Sequence, residues 1–97
     1  MTSRFKTKRI RNKKYLESVR KLPCLACRTP WGGDAHHLRF AELSATGMKV
    51  GDNFCVPLCR NCHTQLHSLG REEDFWIGIT HDPLVWAAKN WKEFNDG

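Results

Sequence analysis

No stretch of this sequence approaches the run of about 20 apolar residues that a bilayer-spanning helix requires, so the expectation is a chain without a membrane helix. The basic N-terminal stretch is followed by no apolar segment of the kind that drives secretion, which points to a cytoplasmic protein. An even cysteine count, the mark of a disulfide framework in a small exported domain, is missing too: there are five cysteines. The H-E-x-x-H pattern of zinc proteases is absent. Acidic residues are almost lacking from the first 21 positions, where Glu17 stands alone against nine lysines and arginines. That segment carries +8 of a total of +6, which leaves the remainder at −2. A basic arm on a near-neutral body is a common electrostatic footprint of a nucleic-acid partner, although a solubilising tail has the same composition.

The 97 residues allow one small domain. A chain of this length buries only about two thirds of its unfolded surface, so a metal staple would add much to a marginal core. Residues 1–11 read as a flexible basic arm and 12–97 as the folded unit, with no internal repeat. In "NKKYLESVRKL", Tyr15, Leu16, Val19 and Leu22 recur at helical spacing until Pro23 stops the run. "DAHHLRF" predicts a short strand, "AELSATGMKVGD" a loop and "NFCVPLC" a second strand with Pro57 near its end. Arg60 to Leu69 predicts a helix closed by Gly70, and Asp82-Pro83 is a helix start that places Leu84, Ala87, Ala88 and Trp91 on one face. Trp76, Trp86 and Trp91 are the natural core aromatics.

What the sequence does hold is concentrated in ligand-forming residues. Cys24-x-x-Cys27 and Cys59-x-x-Cys62 form two knuckles separated by 31 residues. Each knuckle offers two thiolates from one tight turn, and four satisfy tetrahedral Zn²⁺, so a structural zinc is expected. Cys55, away from both knuckles, reads as a small buried apolar residue. Four histidines remain beside that site. His36 and His37 are adjacent, so on a regular strand their rings point to opposite faces. His63 and His67 lie four apart, on one face of the expected helix. They either pack and serve as alternative zinc ligands, or they bind a second ion. His81, isolated in "ITHDP", reads as a surface or capping residue.

Laid out in order, His36-His37, Asn53 and Cys59-x-x-Cys62-His63 resemble the motif of the HNH endonuclease family. "YLESVRKLPCLAC", "HHLR", "TGMKVGDNFCVPLCRNCH" and "FWIGITHDP" resemble its phage and prophage subgroup of recombination-enhancement nucleases, from about Lys13 to Trp91. The resemblance implies a small α+β fold: a ββα-metal HNH core joined to a four-cysteine zinc site and flanked by N- and C-terminal helices. It implies hydrolysis of DNA phosphodiester bonds to 5′-phosphate and 3′-hydroxyl ends. His36, His63 and His67 would hold one catalytic divalent ion, which could be Mg²⁺, Mn²⁺, Ni²⁺ or Zn²⁺. His37 would be the general base, and Asn53 would hold its backbone or ring. Asp34 reads equally as a residue that steadies the site or as a turn residue, and Arg39 as a phosphate contact or a surface ion pair. A recruiting recombination protein and a second copy of the chain are both compatible with this resemblance.

The physical chemistry agrees with these roles. A neutral imidazole suits removing a proton from water near neutral pH. A cation with open coordination positions suits a developing negative charge, whereas a closed four-thiolate site has no such position. The rival expectation is a zinc-ribbon DNA-binding module without catalysis, which needs the knuckles and the arm but not the four histidines and Asn53. A haem-attachment reading of C-x-x-C-H is weaker because no export segment accompanies it.

The expected DNA contacts are Arg4, Lys6, Lys8, Arg9, Arg11, Lys13 and Lys14 of the basic segment, together with Arg39. Deleting residues 1–11 removes five of these side chains. Each phosphate contact contributes about 0.9 to the log–log salt dependence on duplex DNA. Binding measured by fluorescence anisotropy across a salt series should therefore weaken and its slope flatten by up to about 4.5. An unchanged slope and affinity would make the arm a bystander.

Overall fold

The computed structural model describes residues 10–41 and 50–96. The expected flexible arm, with Arg4, Lys6, Lys8 and Arg9, and most of the expected polar loop lie outside these residues. Helix α1 (Lys13–Arg20) is followed by strand β1 (Asp34–His37), a 3-10 turn (Asp52–Phe54) and strand β2 (Cys55–Leu58). Helices α2 (Arg60–Ser68), α3 (Glu72–Trp76) and α4 (Pro83–Asp96) complete a small α+β fold with a two-stranded antiparallel sheet. No helix among the described residues is long and apolar enough to cross a membrane.

The local chemistry explains each boundary. Asn12 caps α1 by accepting the Tyr15 N–H at 3.0 Å, and Asp82 caps α4 by accepting the Leu84 N–H at 2.9 Å. Gly70 follows α2 at φ +84°, a left-handed conformation that suits glycine. β1 is shorter than the expected strand. The Leu38 N–H still reaches the Phe54 carbonyl at 2.9 Å, but the Ala41 N–H then turns back to the Leu38 carbonyl at 3.0 Å. Helix α3 has no counterpart in the sequence reading, because five residues are too few to show a period.

β1 and β2 pair in the register Asp34↔Leu58, Ala35↔Pro57, His36↔Val56 and His37↔Cys55. β2 is buried along its whole length. Pro57 sits inside this strand, and its carbonyl accepts the Leu25 N–H at 2.9 Å, which docks the first knuckle onto the strand's outer edge. Around the sheet, Leu38, Val56, Leu58, Leu66, Phe75, Trp76 and Ala87 form the core cluster. Cys55 is fully buried, as an apolar residue would be. Ala87 is buried as expected, while Ala88 on the same helix is exposed. Tyr15 is fully buried and meets Trp91 edge-on at 4.9 Å, and its hydroxyl accepts from the Asn90 side chain at 3.1 Å. This contact fastens α4 across α1.

The backbone passes closely at Gly32, where an added Cβ would lie 2.9 Å from the Leu22 carbonyl oxygen and 3.0 Å from the Pro57 Cβ. Both neighbours are stiff. Gly32→Ala should lower unfolding stability by about 1–3 kcal/mol. Gly78→Ala, where nothing lies within 4 Å, should stay within about 0.5 kcal/mol of the parent in the same denaturant titration.

Candidate metal centres

The knuckle loop at residues 24–27 and the start of α2 bring Cys24, Cys27, Cys59 and Cys62 together, with all four sulfurs within 4.8 Å of one another. Cys27 and Cys59 approach to 3.7 Å. That is close to the separation of about 3.8 Å expected of two thiolates on one tetrahedral zinc, and far beyond a covalent S–S bond. Each knuckle also turns a backbone N–H onto its own first sulfur, Cys27 onto Cys24 and Cys62 onto Cys59, both at 3.5 Å. Burial opposes ionisation of Cys24, yet backbone N–H groups around it, that of Cys27 first, bring its thiol down to about 7. Burial and the neighbouring sulfurs push Cys62 upward. Four thiolates this close need a cation to ionise together, and their soft, closed set fits zinc.

The second group is His36, His63 and His67, whose ligating nitrogens also lie within 4.8 Å of one another and could hold a metal ion. The fold builds it from one residue of β1 and one face of α2. His36 is buried at 3 % exposure. Its Nδ1 faces the Nε2 of His63 at 3.1 Å. The His63 and His67 rings lie 4.8 Å apart. Burial, then the charges that His63 and His36 can carry, lower the pKa of His67 and favour the neutral form that binds metals.

Carboxylates stand behind two of these rings. The Glu72 side chain meets His36 Nε2 at 2.8 Å and also accepts from Trp76 Nε1 at 3.3 Å and the Arg39 backbone N–H at 3.1 Å. Burial opposes its ionisation, but the bond with His36 and the other donors outweigh that and hold it below the usual carboxylate range. Asp34 meets His63 Nδ1 at 3.0 Å and also accepts from Arg60 Nε at 3.1 Å. Asp34 and His36 are two apart on β1, so alternation puts them on one face. Asp34 thus lies in a strand rather than a turn, with its carboxylate against one ring of the cluster. A cleft of about 390 Å³ opens beside the cluster, lined by residues that include His63, His67, Arg20 and Arg60.

His37 follows the alternation to the other face, where its Nε2 meets Asp52 Oδ1 at 2.8 Å. Asp52 is buried at 4 % exposure and receives the Asn12 N–H at 2.8 Å, with the Arg11 guanidinium at 3.6 Å. Burial opposes its charge, but the His37 and Asn12 hydrogen bonds keep its carboxyl below the usual range. The side chain seen on the His37 ring is therefore that of Asp52, one position before Asn53. Asn53 lies half-buried in the 3-10 turn. Arg11 is tied to the Val50 carbonyl at 2.8 Å, Lys13 and Lys14 are exposed on α1, and Arg39 is exposed beside Glu72. His81 contacts the Arg28 guanidinium.

Sequence reasoning did not single out Glu72 or Asp52. Asp52 left a faint signal, as the acid directly before the motif asparagine. Glu72 left none, because it is the first of three consecutive acids and only the position of α3 distinguishes it.

Cys59→Ser separates the zinc role from the capping role, since serine also caps helices well. Structural zinc contributes on the order of 10 kcal/mol, comparable to a domain's whole stability. The variant should lose its tightly held zinc equivalent and its cooperative thermal unfolding by circular dichroism. Cys55→Ala should keep the zinc. Full zinc content and a native melt in Cys59→Ser would exclude the four-sulfur site.

Comparison with known proteins adds a lineage. Over 63 residues, 65% of this chain, it is 38% identical to "Uncharacterized protein YdfU" of Escherichia coli (strain K12). The matched stretch spans only 18% of that relative's length. No solved structure matches. Residues 1–75 match a family of proteins over most of the chain, and the chain belongs to that family, described as "Protein of unknown function (DUF968)".

Proposed function

We propose that this chain is a metal-dependent endonuclease of the HNH type that hydrolyses DNA phosphodiester bonds, with its four cysteines serving a structural zinc. The observation that carries the reading is the convergence of His36, His63 and His67 beside a cleft, while the adjoining strand residue His37 is braced by the buried carboxylate of Asp52. Two antiparallel strands followed at once by α2 are the elements that a ββα-metal core requires.

In this reading His36, His63 and His67 hold a divalent ion, and His37 takes the proton from the attacking water. Asp52, an acceptor, assigns the proton of the neutral His37 ring to Nε2 and its basic lone pair to Nδ1. The carboxylate also steadies the imidazolium that forms, the role of any acid behind a catalytic histidine. A bound divalent ion supplies Lewis acidity toward the phosphate and the leaving 3′-oxygen. Water adds to phosphorus, the P–O3′ bond breaks, the leaving 3′-oxygen takes a proton from solvent, and the products carry a 5′-phosphate and a 3′-hydroxyl. Arg20 and Arg60 line the cleft and supply positive charge beside the phosphates. The basic N-terminal segment adds affinity without sequence preference.

Supercoiled plasmid incubated with the intact protein and Mn²⁺ tests this directly. His37→Ala should keep zinc content, fold and DNA affinity while cleavage falls by about 10²–10⁴-fold, the usual share of a positioned base. His63→Ala should lose cleavage through weaker ion binding and regain part of it at higher Mn²⁺. His81→Ala should cut as the parent does. Cutting by His37→Ala at the parent rate would remove the general base from the scheme. A parent protein that shifts plasmid without cutting it at any divalent ion would instead be a zinc-ribbon DNA-binding module.

A further inference from the structure

Glu72 lies outside the residues to which the nuclease reading assigns a role, yet it makes a short contact with the deepest histidine of the cluster. It is an anion that already accepts from Trp76 and Arg39, so its contact with His36 Nε2 requires that nitrogen to donate. On the neutral ring the His36 lone pair is then on Nδ1. The same reasoning applies at His63. Asp34 is held as an anion by Arg60, so His63 Nδ1 donates and its lone pair is on Nε2. These two lone-pair nitrogens face each other at 3.1 Å. Between neutral rings that contact is repulsive unless a cation lies between them. Two nitrogens on one ion, each at about 2.0–2.1 Å, lie roughly 2.8–3.4 Å apart in octahedral or tetrahedral geometry. The observed spacing is that of two ligands, and each outward nitrogen is already committed to a carboxylate.

We propose that Glu72 is the positioning residue that sets the tautomer and aim of His36, so that His36 offers Nδ1, beside Nε2 of His63, to a borderline transition ion such as Zn²⁺ at the histidine cluster. A set of uncharged imidazoles disfavours Mg²⁺, which takes oxygen ligands and gives up its water reluctantly. The carboxylates behind the rings raise ligand basicity without occupying the ion, so positions remain for other ligands. This inference rests on the histidine cluster of the nuclease reading but not on cleavage.

The test uses protein with its cysteine site already filled by zinc. Calorimetry should find one further equivalent of Zn²⁺, with Mg²⁺ at least about 100-fold weaker. Glu72→Gln keeps one oxygen for the His36 and Trp76 donors but loses the charge and the acceptor of the Arg39 N–H, and should weaken this second affinity by about 10–100-fold. Glu73→Gln, on an exposed neighbour, should leave it unchanged. In a His36→Ala background, Glu72→Gln should add no further loss, which a general effect on packing would not reproduce. Long-range ¹H–¹⁵N spectra of the zinc-loaded parent need no variant and should show His36 protonated at Nε2 and His63 at Nδ1. The opposite tautomer at His36, equal affinity for Mg²⁺, or unchanged zinc affinity in a folded Glu72→Gln would overturn the proposal. Expected tautomers in a protein that never cuts DNA would sink the nuclease reading alone. Plasmid cleavage with the wrong tautomer would sink this one alone.

Discussion

The placement of α2 governs both groups of ligands, and one residue fixes where that helix begins. Cys59 ends the fully buried β2, turns its sulfur onto the Cys62 N–H and stands within 3.7 Å of Cys27. A helix capped at Cys59, with an ion shared between that sulfur and Cys27, would resist sliding or rotating relative to the sheet. The rings of His63 and His67, one and two turns further on, inherit that rigidity. Locating two ligands this way leaves little tolerance for error. A rotation of α2 by one residue, about 100°, would carry both rings away from His36.

β1 divides labour by pleat alone. Asp34 and His36 face the cluster, while His37 faces Asp52 and, through it, the segment that leads into α1. Adjacent histidines on a strand are thereby given separate environments at no cost in chain length. Each outward nitrogen in these contacts meets a carboxylate that is itself fixed by other donors. Among the described residues no buried polar side-chain atom lacks a partner, so this concentration of charge leaves no polar atom stranded. Such satisfied networks are stiff, which suits ligands that must stay in one orientation.

Much of this was legible beforehand because the informative residues carry local rules. The cysteine spacing, the i, i+4 histidines of α2, the Asn12 and Asp82 caps and the glycine after α2 each follow from a few consecutive positions. What escaped depends on contacts between distant segments. Glu72 is 36 residues from His36 and has two acidic neighbours of the same composition. Its role is decided by where a five-residue helix docks. The contact of His37 with Asp52, the residue before the expected Asn53, also escaped, because the 3-10 turn brings Asp52 into position and no periodicity announces such a turn. β1 came out shorter than its apolar pattern because Leu38 is buried while already leaving the strand.

Pro57 has a consequence for how the protein behaves before any metal arrives. A two-stranded sheet exposes two edges, and unpaired edges recruit strands from other molecules. At the middle of β2 the outward donor does not exist, because proline has no N–H, and the outward acceptor is occupied by Leu25. The buried strand therefore offers a foreign chain no continuous ladder, whatever the state of the cysteines. The missing donor is a property of the sequence itself, so proline at this register guards the edge against aggregation with or without an ion on the four sulfurs.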